Sequence, residues 1–338
     1  MSAPTISAPL VGRTDELAAL RSALAAVRDG TPATVLIGGE AGVGKSRLLS
    51  EFTAAEQGAG TRVLTGGCLE LGAEGLPFAP FTAVLRDLVR ELGPDGLAGL
   101  LAGGTIRELA RLLPELGVPL ATGDAGEARA RLFEQVLVLL ERLAEPAPVV
   151  LAIEDAHWAD QSSRDLLAFL IRNQRALDGV LIVVTYRSDE LHRTHPLRPL
   201  IAELDRVDWV QRIDLPRLTR REAGELATRI TGRVPDATWS DRLYRRTEGN
   251  PLFLETLLAS HDSETGELPD SLRDLVLIGV RRLPEESQEV LRIASTGGRR
   301  IGHALLAAVS GLDPDQLSRV LRPAVTANTL VTEADDYV

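Results

Sequence analysis

Three features of the sequence predict an α/β fold with a parallel sheet covered by helices. Gly39-Glu40-Ala41-Gly42-Val43-Gly44-Lys45-Ser46 fits G-x-x-x-x-G-K-[ST] in full, between an apolar run, Val35-Leu36-Ile37, and a helical pattern carrying Leu48, Leu49 and Phe52. Val149–Ile153 and Val180–Val184 are continuous apolar stretches, the mark of strands buried on both faces and hence of a parallel sheet. Strand signals stop after about Leu215, and the C-terminal third reads mostly as helix.

In chain order, Leu10-Val11-Gly12-Arg13 leads into a helix with Thr14 as its expected N-cap. Asp15 and Glu16 fall in its first turn, and Leu17, Leu20, Leu24 and Val27 on one face. Asp29-Gly30 ends it ahead of the first strand and the glycine-rich loop. Gly58-Ala59-Gly60 breaks the next helix before a short strand at Val63-Leu64. Residues 70–125 are leucine-rich and helical, interrupted at Gly93-Pro94, Gly103-Gly104 and Pro114, and nothing in them points to chemistry. From Glu127 an amphipathic helix carries Leu132, Phe133, Val136, Leu137, Leu140 and Leu143, and Pro146 and Pro148 end it.

Thr219-Arg220-Arg221-Glu222 is a capping box opening a helix, and two more helices run through Leu243 and Leu257. Ser263–Pro269 reads as a linker. Helical segments near 271–282, 285–295, 302–309 and 314–322 precede a strand-like Thr329-Leu330-Val331-Thr332. Small helices with a strand after them suggest a winged-helix unit whose hairpin partner would fall beyond Val338. The expected domains are 1–215, carrying the sheet and the glycine-rich loop; 216–262, a helical lid; and 263–338, a winged helix truncated at its C-terminal end.

Bulk properties narrow the function. At 338 residues the chain has room for about two domains, and 44% apolar with 25% charged residues is an ordinary soluble balance. A net charge of −11 argues against a non-specific polyanion-binding surface. The single cysteine, Cys68, excludes an internal disulfide framework and fits a reducing compartment. Met1-Ser2-Ala3-Pro4 lacks the basic and apolar regions of a secretory signal, and no apolar run reaches the ~18 residues of a membrane span. The expected location is the cytoplasm, without a membrane partner. Of the 37 lysines and arginines only Lys45 is a lysine, so the one compact ammonium stands in the glycine-rich loop.

That loop is where chemistry is expected. Its glycines let backbone N–H groups turn inward around phosphate oxygens, at the positive end of the next helix. Lys45 would reach the β- and γ-phosphates and Ser46 would ligate Mg²⁺, with residues 39–46 and the adjoining Arg47 forming the nucleotide-binding segment. Glu154-Asp155 ends the Val149–Ile153 strand, on the rim where ligands collect in open α/β sheets. One carboxylate there would hold the metal through its waters and the other would position or deprotonate water. Arg187, at the end of the next strand, could sense the γ-phosphate and stabilise transferring charge. Gly249-Asn250-Pro251 read alone is a routine turn with proline at a helix start. His192 and His195 lie in a proline-containing loop without nearby cysteines, which disfavours a metal site, and Cys68 has no base partner in view.

Several motifs occur in one order: Leu10-Val11-Gly12-Arg13 with Glu16-Leu17, the phosphate loop, Ile153-Glu154-Asp155-Ala156-His157-Trp158-Ala159-Asp160, Thr185-Tyr186-Arg187, and Glu248-Gly249-Asn250-Pro251-Leu252-Phe253-Leu254. From about residue 10 to the end, this set resembles the signal-transduction ATPases with numerous domains (the STAND class). More narrowly, it resembles the ATPase module of LuxR-type large ATP-binding transcription regulators. The resemblance implies a P-loop NTPase domain, a helical domain and a winged helix. It implies that Val11, Gly12 and Arg13 border the adenine, that Glu154 takes the Mg²⁺-associated position and Asp155 the water-activating one. It also makes Arg187 the γ-phosphate sensor and has Pro251 close over the nucleotide. The family's acidic pair is often two aspartates or Asp-Glu, where this chain has Glu-Asp. The winged-helix histidine that some relatives use to contact ADP has no clear equivalent.

The implied mechanism is a switch, closed with ADP and opened by ATP exchange. An inducer would act through a C-terminal region beyond Val338, self-oligomerisation would accompany the ATP state, and a helix-turn-helix in that region would bind DNA. Residues 262–338 hold 13 acidic residues against 8 arginines, so the winged helix itself should not bind DNA. A stand-alone P-loop ATPase and a non-hydrolysing nucleotide-binding scaffold are the alternatives. The guanine-reading Asn-Lys-x-Asp box needs a second lysine and an ABC transporter needs a Leu-Ser-Gly-Gly-Gln-type signature, both missing here. The acidic pair and the helical C-terminal half count against a small-metabolite kinase.

Overall fold

A computed structural model describes residues 10–69, 76–101, 105–118, 124–234, 236–259, 277, 280–281, 283–298, 301–326, 330, 332–333 and 336–337. The chain divides into two compact units, 10–216 and 217–338.

The first unit runs α1 (Thr14–Arg28), β1 (Ala33–Gly39), α2 (Lys45–Gly58), β2 (Arg62–Gly67), α3 (Ala79–Leu100), α4 (Ala125–Ala144), β3 (Val149–Glu154), α5 (Gln161–Arg172), β4 (Val180–Arg187), α6 (Leu197–Leu204) and β5 (Val210–Asp214), with short 3₁₀ turns between. The five strands form one parallel sheet in the order β2-β3-β4-β1-β5. Side chains alternate across it with the period of two that a strand imposes. Val149, Leu151, Ile153, Ile182 and Val184 join Leu88, Leu132, Leu140 and Leu166 in one core. Val150, Ala152, Leu181 and Val183 join Leu20, Leu24, Leu48 and Phe52 in another. The apolar runs lack polar alternation because both faces are covered.

The strand at Val63-Leu64 is β2, and the runs at 35–37, 149–153 and 180–184 are β1, β3 and β4. Sequence pattern alone does not reveal β5. It is an edge strand with Gln211 and Arg212 exposed, so it carries no apolar run to read. Thr14 is the first helical residue of α1, not its cap; Arg13 holds the cap position and makes no side-chain cap bond. Gly93, at φ 72° and ψ 162°, breaks α3 where Gly93-Pro94 predicted an interruption. The break at Gly103-Gly104 lies outside the described residues.

In the second unit, α7 (Arg220–Thr231), α8 (Ala237–Thr247) and α9 (Pro251–Ala259) come in succession. The Thr219 capping box forms: the Thr219 Oγ1 accepts from the Glu222 N–H, and the Thr219 N–H donates to Glu222 Oε2 at 2.8 Å. Further on, helices Glu285–Thr296, His303–Ser310 and Pro314–Thr326 close on a core of Val290, Leu306, Leu317 and Leu321. A small antiparallel sheet accompanies them, with β6 (Ile301–Gly302), β7 (Thr332–Glu333) and β8 (Asp336–Tyr337) in the order β6-β8-β7. This corrects one expectation: the hairpin partner of the strand near 332 lies before Val338, as Asp336–Tyr337. Two-residue strands are too short to announce themselves by alternation. The linker at Ser263–Pro269 falls outside the described residues.

Candidate functional site

The site is built where β1, β3 and β4 end. β1 runs into Gly39 and α2 starts at Lys45, so Gly39 to Gly44 must turn tightly between them. Gly42 (φ 76°) and Gly44 (φ 104°, the N-cap of α2) adopt left-handed backbone that a side chain would strain. Glu40 and Ala41 lead into the turn and Val43 is buried beneath it. Ser46 is exposed in the first turn of α2 and Arg47 comes next.

Lys45 is 6% exposed, and its Nζ donates to the Gly39 and Glu40 carbonyls, both at 2.8 Å. Burial lowers its pKa below the usual lysine value, against the opposing charges of Asp189, Asp155 and Glu190. The Arg13 guanidinium donates to the Val43 carbonyl at 3.2 Å and the Pro216 carbonyl at 2.7 Å. Arg13 therefore braces the phosphate loop, and Val11 in the same segment is buried.

Register delivers the remaining groups. Gly39 pairs with Arg187 and Ile37 with Thr185 across β1 and β4. Thr185, fully buried, accepts the Asp155 N–H through its Oγ1 at 3.0 Å, tying the end of β3 to β4. Asp155 sits at φ 54° and ψ 43°, a conformation short polar side chains tolerate better than most. Its carboxyl lies above the usual aspartate value because burial disfavours the charge, while Arg187 and Lys45 pull it down. Glu154 is the last residue of β3, half-buried, and its carbonyl accepts the Cys68 N–H at 2.9 Å. The charge of Asp155 acts on Lys45.

Arg187 Nη1 donates to Glu190 Oε1 at 2.5 Å, and its guanidinium lies 4.8 Å from the Trp158 ring centroid. Its backbone N–H donates to His157 Nδ1 at 3.3 Å. An accepting Nδ1 leaves the proton of a neutral imidazole on Nε2, which faces Glu190 Oε2 at 3.6 Å. The buried His157 ring thus connects the acidic-pair loop to the segment after β4.

Asp189 and Glu190 are site residues that sequence reasoning misses. Two acidic residues shortly after Arg187 are the available signal, and an acidic turn is too common to single out. Asp189 Oδ2 accepts from the Ala41 N–H at 3.4 Å, within the phosphate loop itself. Its carboxyl too is raised by burial, against hydrogen bonds from its own backbone and Ala41 and the charge of Lys45.

Asn250 Oδ1 accepts from the Leu252 N–H at 3.1 Å, capping α9, and Pro251 is the first residue of that helix. Gly249 (φ 78°) passes so close to Leu218 that a β-carbon would stand 2.1 Å from the Leu218 carbonyl oxygen. These residues belong to the second unit. Cys68 is buried, its thiol pushed up to about 12 by desolvation and then by Asp155 and Asp160, which leaves it unreactive. The nitrogen atoms of His192 and His195 make local contacts to Thr194 and the Leu197 N–H.

Among the described residues no cluster of three or more His, Cys, Asp or Glu could hold a metal by itself. Mg²⁺ does not require one, since it keeps several waters and takes one or two protein oxygens plus phosphates. The exposed Ser46 hydroxyl and the carboxylates of Glu154 and Asp155 suit that role. Also among the described residues, no helix is long and apolar enough to cross a membrane.

Residues 9–184 match the AAA ATPase domain family. An uncharacterized protein of Rhizobium meliloti (strain 1021) is 27% identical over 328 residues; the match covers 89% of this chain but 31% of that protein. The chain therefore spans about a third of the length of that curated relative. Among solved structures, the Walker-type ATPase paby2304 of Pyrococcus abyssi matches with a TM-score of 0.57 at 16% identity, covering 97% of this chain and 93% of that one. The Aeropyrum pernix ORC1 protein, solved in complex with DNA, matches with a TM-score of 0.47 at 16% identity, covering 97% and 86%.

Proposed function

The chain belongs to the AAA ATPase domain family, and we propose that it is the ATP-binding, slowly hydrolysing switch of a signal-responsive transcription regulator of the LuxR-type STAND class. The ordered motif set from Leu10 to Leu254 supports that narrower placement. A relative about three times as long supports a module that works within a larger protein.

One observation carries the switch reading. Arg187, one strand over from the acidic pair and directly across from Gly39, is paired with Glu190. A γ-phosphate must take Arg187 from Glu190, and a diphosphate has no group that would. A ligand shifts a conformational equilibrium only through contacts that differ between the states, and this is such a contact.

In hydrolysis, Lys45 and the loop N–H groups hold the phosphates, Asp155 accepts a proton from the attacking water, and Arg187 stabilises charge on the transferring group. Mg²⁺, held by Ser46 and through waters by Glu154 and Asp155, would neutralise phosphate charge. The resemblance adds Val11, Gly12 and Arg13 at the base, and Pro251 among the nucleotide-binding residues. Residues 262–338, with their acidic excess, leave DNA binding and inducer sensing to other regions of the full protein.

Phosphate release at saturating ATP tests the reading. Slow turnover that disappears in Asp155→Ala while ATP still binds is the expected result. Rapid sustained turnover without any effector would refute the switch in favour of a stand-alone ATPase. ATP binding with no phosphate release at all would leave only a scaffold.

A further inference from the structure

Asp189, just after β4, is a carboxylate that accepts a hydrogen bond from the phosphate-binding loop. Its Oδ2 accepts from the Ala41 N–H at 3.4 Å, at the long end of a hydrogen bond. Its Oδ1 is buried and has no hydrogen-bond partner. Its negative charge opposes the loss of charge that burial imposes on Lys45. The same ammonium is the one that reaches the β- and γ-phosphates in loops of this kind. Asp189 also lies two residues after Arg187, so it stands on the side of the site where the terminal phosphate would come.

We propose that Asp189 sets the choice between nucleoside diphosphate and triphosphate: its carboxylate occupies the Ala41 N–H, in the loop that a γ-phosphate has to approach. The inference rests on the phosphate-loop assignment and deepens it. A diphosphate is held by the N–H groups at the start of α2 and by Lys45, leaving Asp189 in place. A triphosphate brings further negative charge against a carboxylate already short of one hydrogen bond, so Asp189 must withdraw. That withdrawal weakens triphosphate binding relative to diphosphate binding and makes the loop after β4 move only when the γ-phosphate arrives. Arg187 and Asp189 then work in opposition, one attracting the terminal phosphate and the other excluding it until the segment between them rearranges.

The experiment measures dissociation constants of ADP and of a non-hydrolysable ATP analogue, both with Mg²⁺, for the unaltered chain, Asp189→Asn and Asp189→Ala. Asparagine keeps an oxygen for Ala41 and removes the charge; alanine removes both. Both variants should shift the affinity ratio toward the triphosphate by about tenfold, within the usual range of coupling energies, chiefly through tighter triphosphate binding. A ratio of constants does not depend on what fraction of the protein has folded. An unchanged ratio overturns the proposal, and so does equal weakening of both nucleotides, which would make Asp189 a brace for the loop. Lys45→Ala separates the two readings: if it binds both nucleotides as before, the phosphate-loop assignment itself fails, whatever Asp189 does.

Discussion

Replacing Arg187 by alanine should separate the γ-phosphate from the rest of the nucleotide. The side chain pairs with Glu190 at 2.5 Å and lies over Trp158, and both members of the pair are about a quarter exposed (26% and 27%). Pairs that open to water contribute about 0–1 kcal/mol, and the stacking on Trp158 adds a similar amount, so the variant should fold. A hydrogen bond from a guanidinium to phosphate is worth roughly 1.5–3 kcal/mol. Deducting the Glu190 pair that must first be broken leaves about 1–2 kcal/mol, or roughly 5–30-fold in triphosphate affinity. The transition state concentrates charge on the transferring group, where loss of one preorganised donor costs about 10²-fold in kcat. The assay pairs single-turnover hydrolysis with titrations of ADP and a non-hydrolysable triphosphate. ADP affinity should stay within about twofold, because ADP has no γ-phosphate to lose. Equal losses for both nucleotides, or a hydrolysis rate unchanged within about threefold, would refute the assignment of Arg187 as sensor.

The same geometry yields further expected outcomes. Asp155→Asn should abolish hydrolysis yet raise stability at neutral pH. The folded-state pKa lies above the ordinary value of 3.8, so stability falls as pH rises from about 3.8 to the folded-state pKa and stays lowered above it. The gain should therefore vanish below about pH 3.8 in thermal melts run across the acid range; a variant less stable at neutral pH would contradict the sign. Tyr186→Phe should stabilise the first unit by about 1 kcal/mol, since the Tyr186 hydroxyl is buried without a partner, and raise its melting temperature by about 2–4 °C. In the second unit, Thr219→Ala should cost about 1 kcal/mol by breaking the capping box. Gly249→Ala should cost about 3 kcal/mol, from a β-carbon driven against the Leu218 carbonyl and from left-handed backbone. Hydrogen exchange in α7 and α9 would order the two, and a milder Gly249→Ala would refute the close crossing.

Legibility in the sequence tracks how local the physics is. Gly42 and Gly44 are glycines because the turn needs left-handed backbone, and Lys45-Ser46 stand at a fixed offset from it, so the phosphate loop announces itself. β3 and β4 are plain because burial on both faces erases polar alternation. β5 is invisible because exposure of Gln211 and Arg212 leaves an edge strand looking like a loop. The parts of the site that escape notice depend on register and on the folding of loops. Nothing local to Thr185 says that its hydroxyl holds Asp155, and nothing local to Asp189 says that it meets Ala41 from 148 residues away. Arg13 is a further case, its guanidinium bonded to the Val43 and Pro216 carbonyls, 30 and 203 residues away.

The charge balance at the phosphate end limits how such a switch can work. Asp155, Asp189 and Glu190 all act on Lys45 with opposite charge, and Glu190 holds Arg187 in an ion pair. A nucleotide adds more negative charge, and each phosphate contact must therefore replace an internal one or bring its own cation. Mg²⁺ can offset part of that charge, and release of Arg187 from Glu190 supplies another part. Moving a two-state equilibrium from 1:99 to 99:1 takes about 5.5 kcal/mol of differential binding. Arg187 offers about 1–2 kcal/mol of it, once its pair with Glu190 is set against the phosphate bond. The γ-phosphate contact alone can therefore bias the switch but not throw it. The remaining coupling has to come from elsewhere, and Pro251 is the residue to which the resemblance assigns that contact. A variant at Pro251 should then lower the difference between the ADP and ATP states without changing single-turnover chemistry at Asp155. If Pro251→Ala left that difference intact, Pro251 would have no part in the switch.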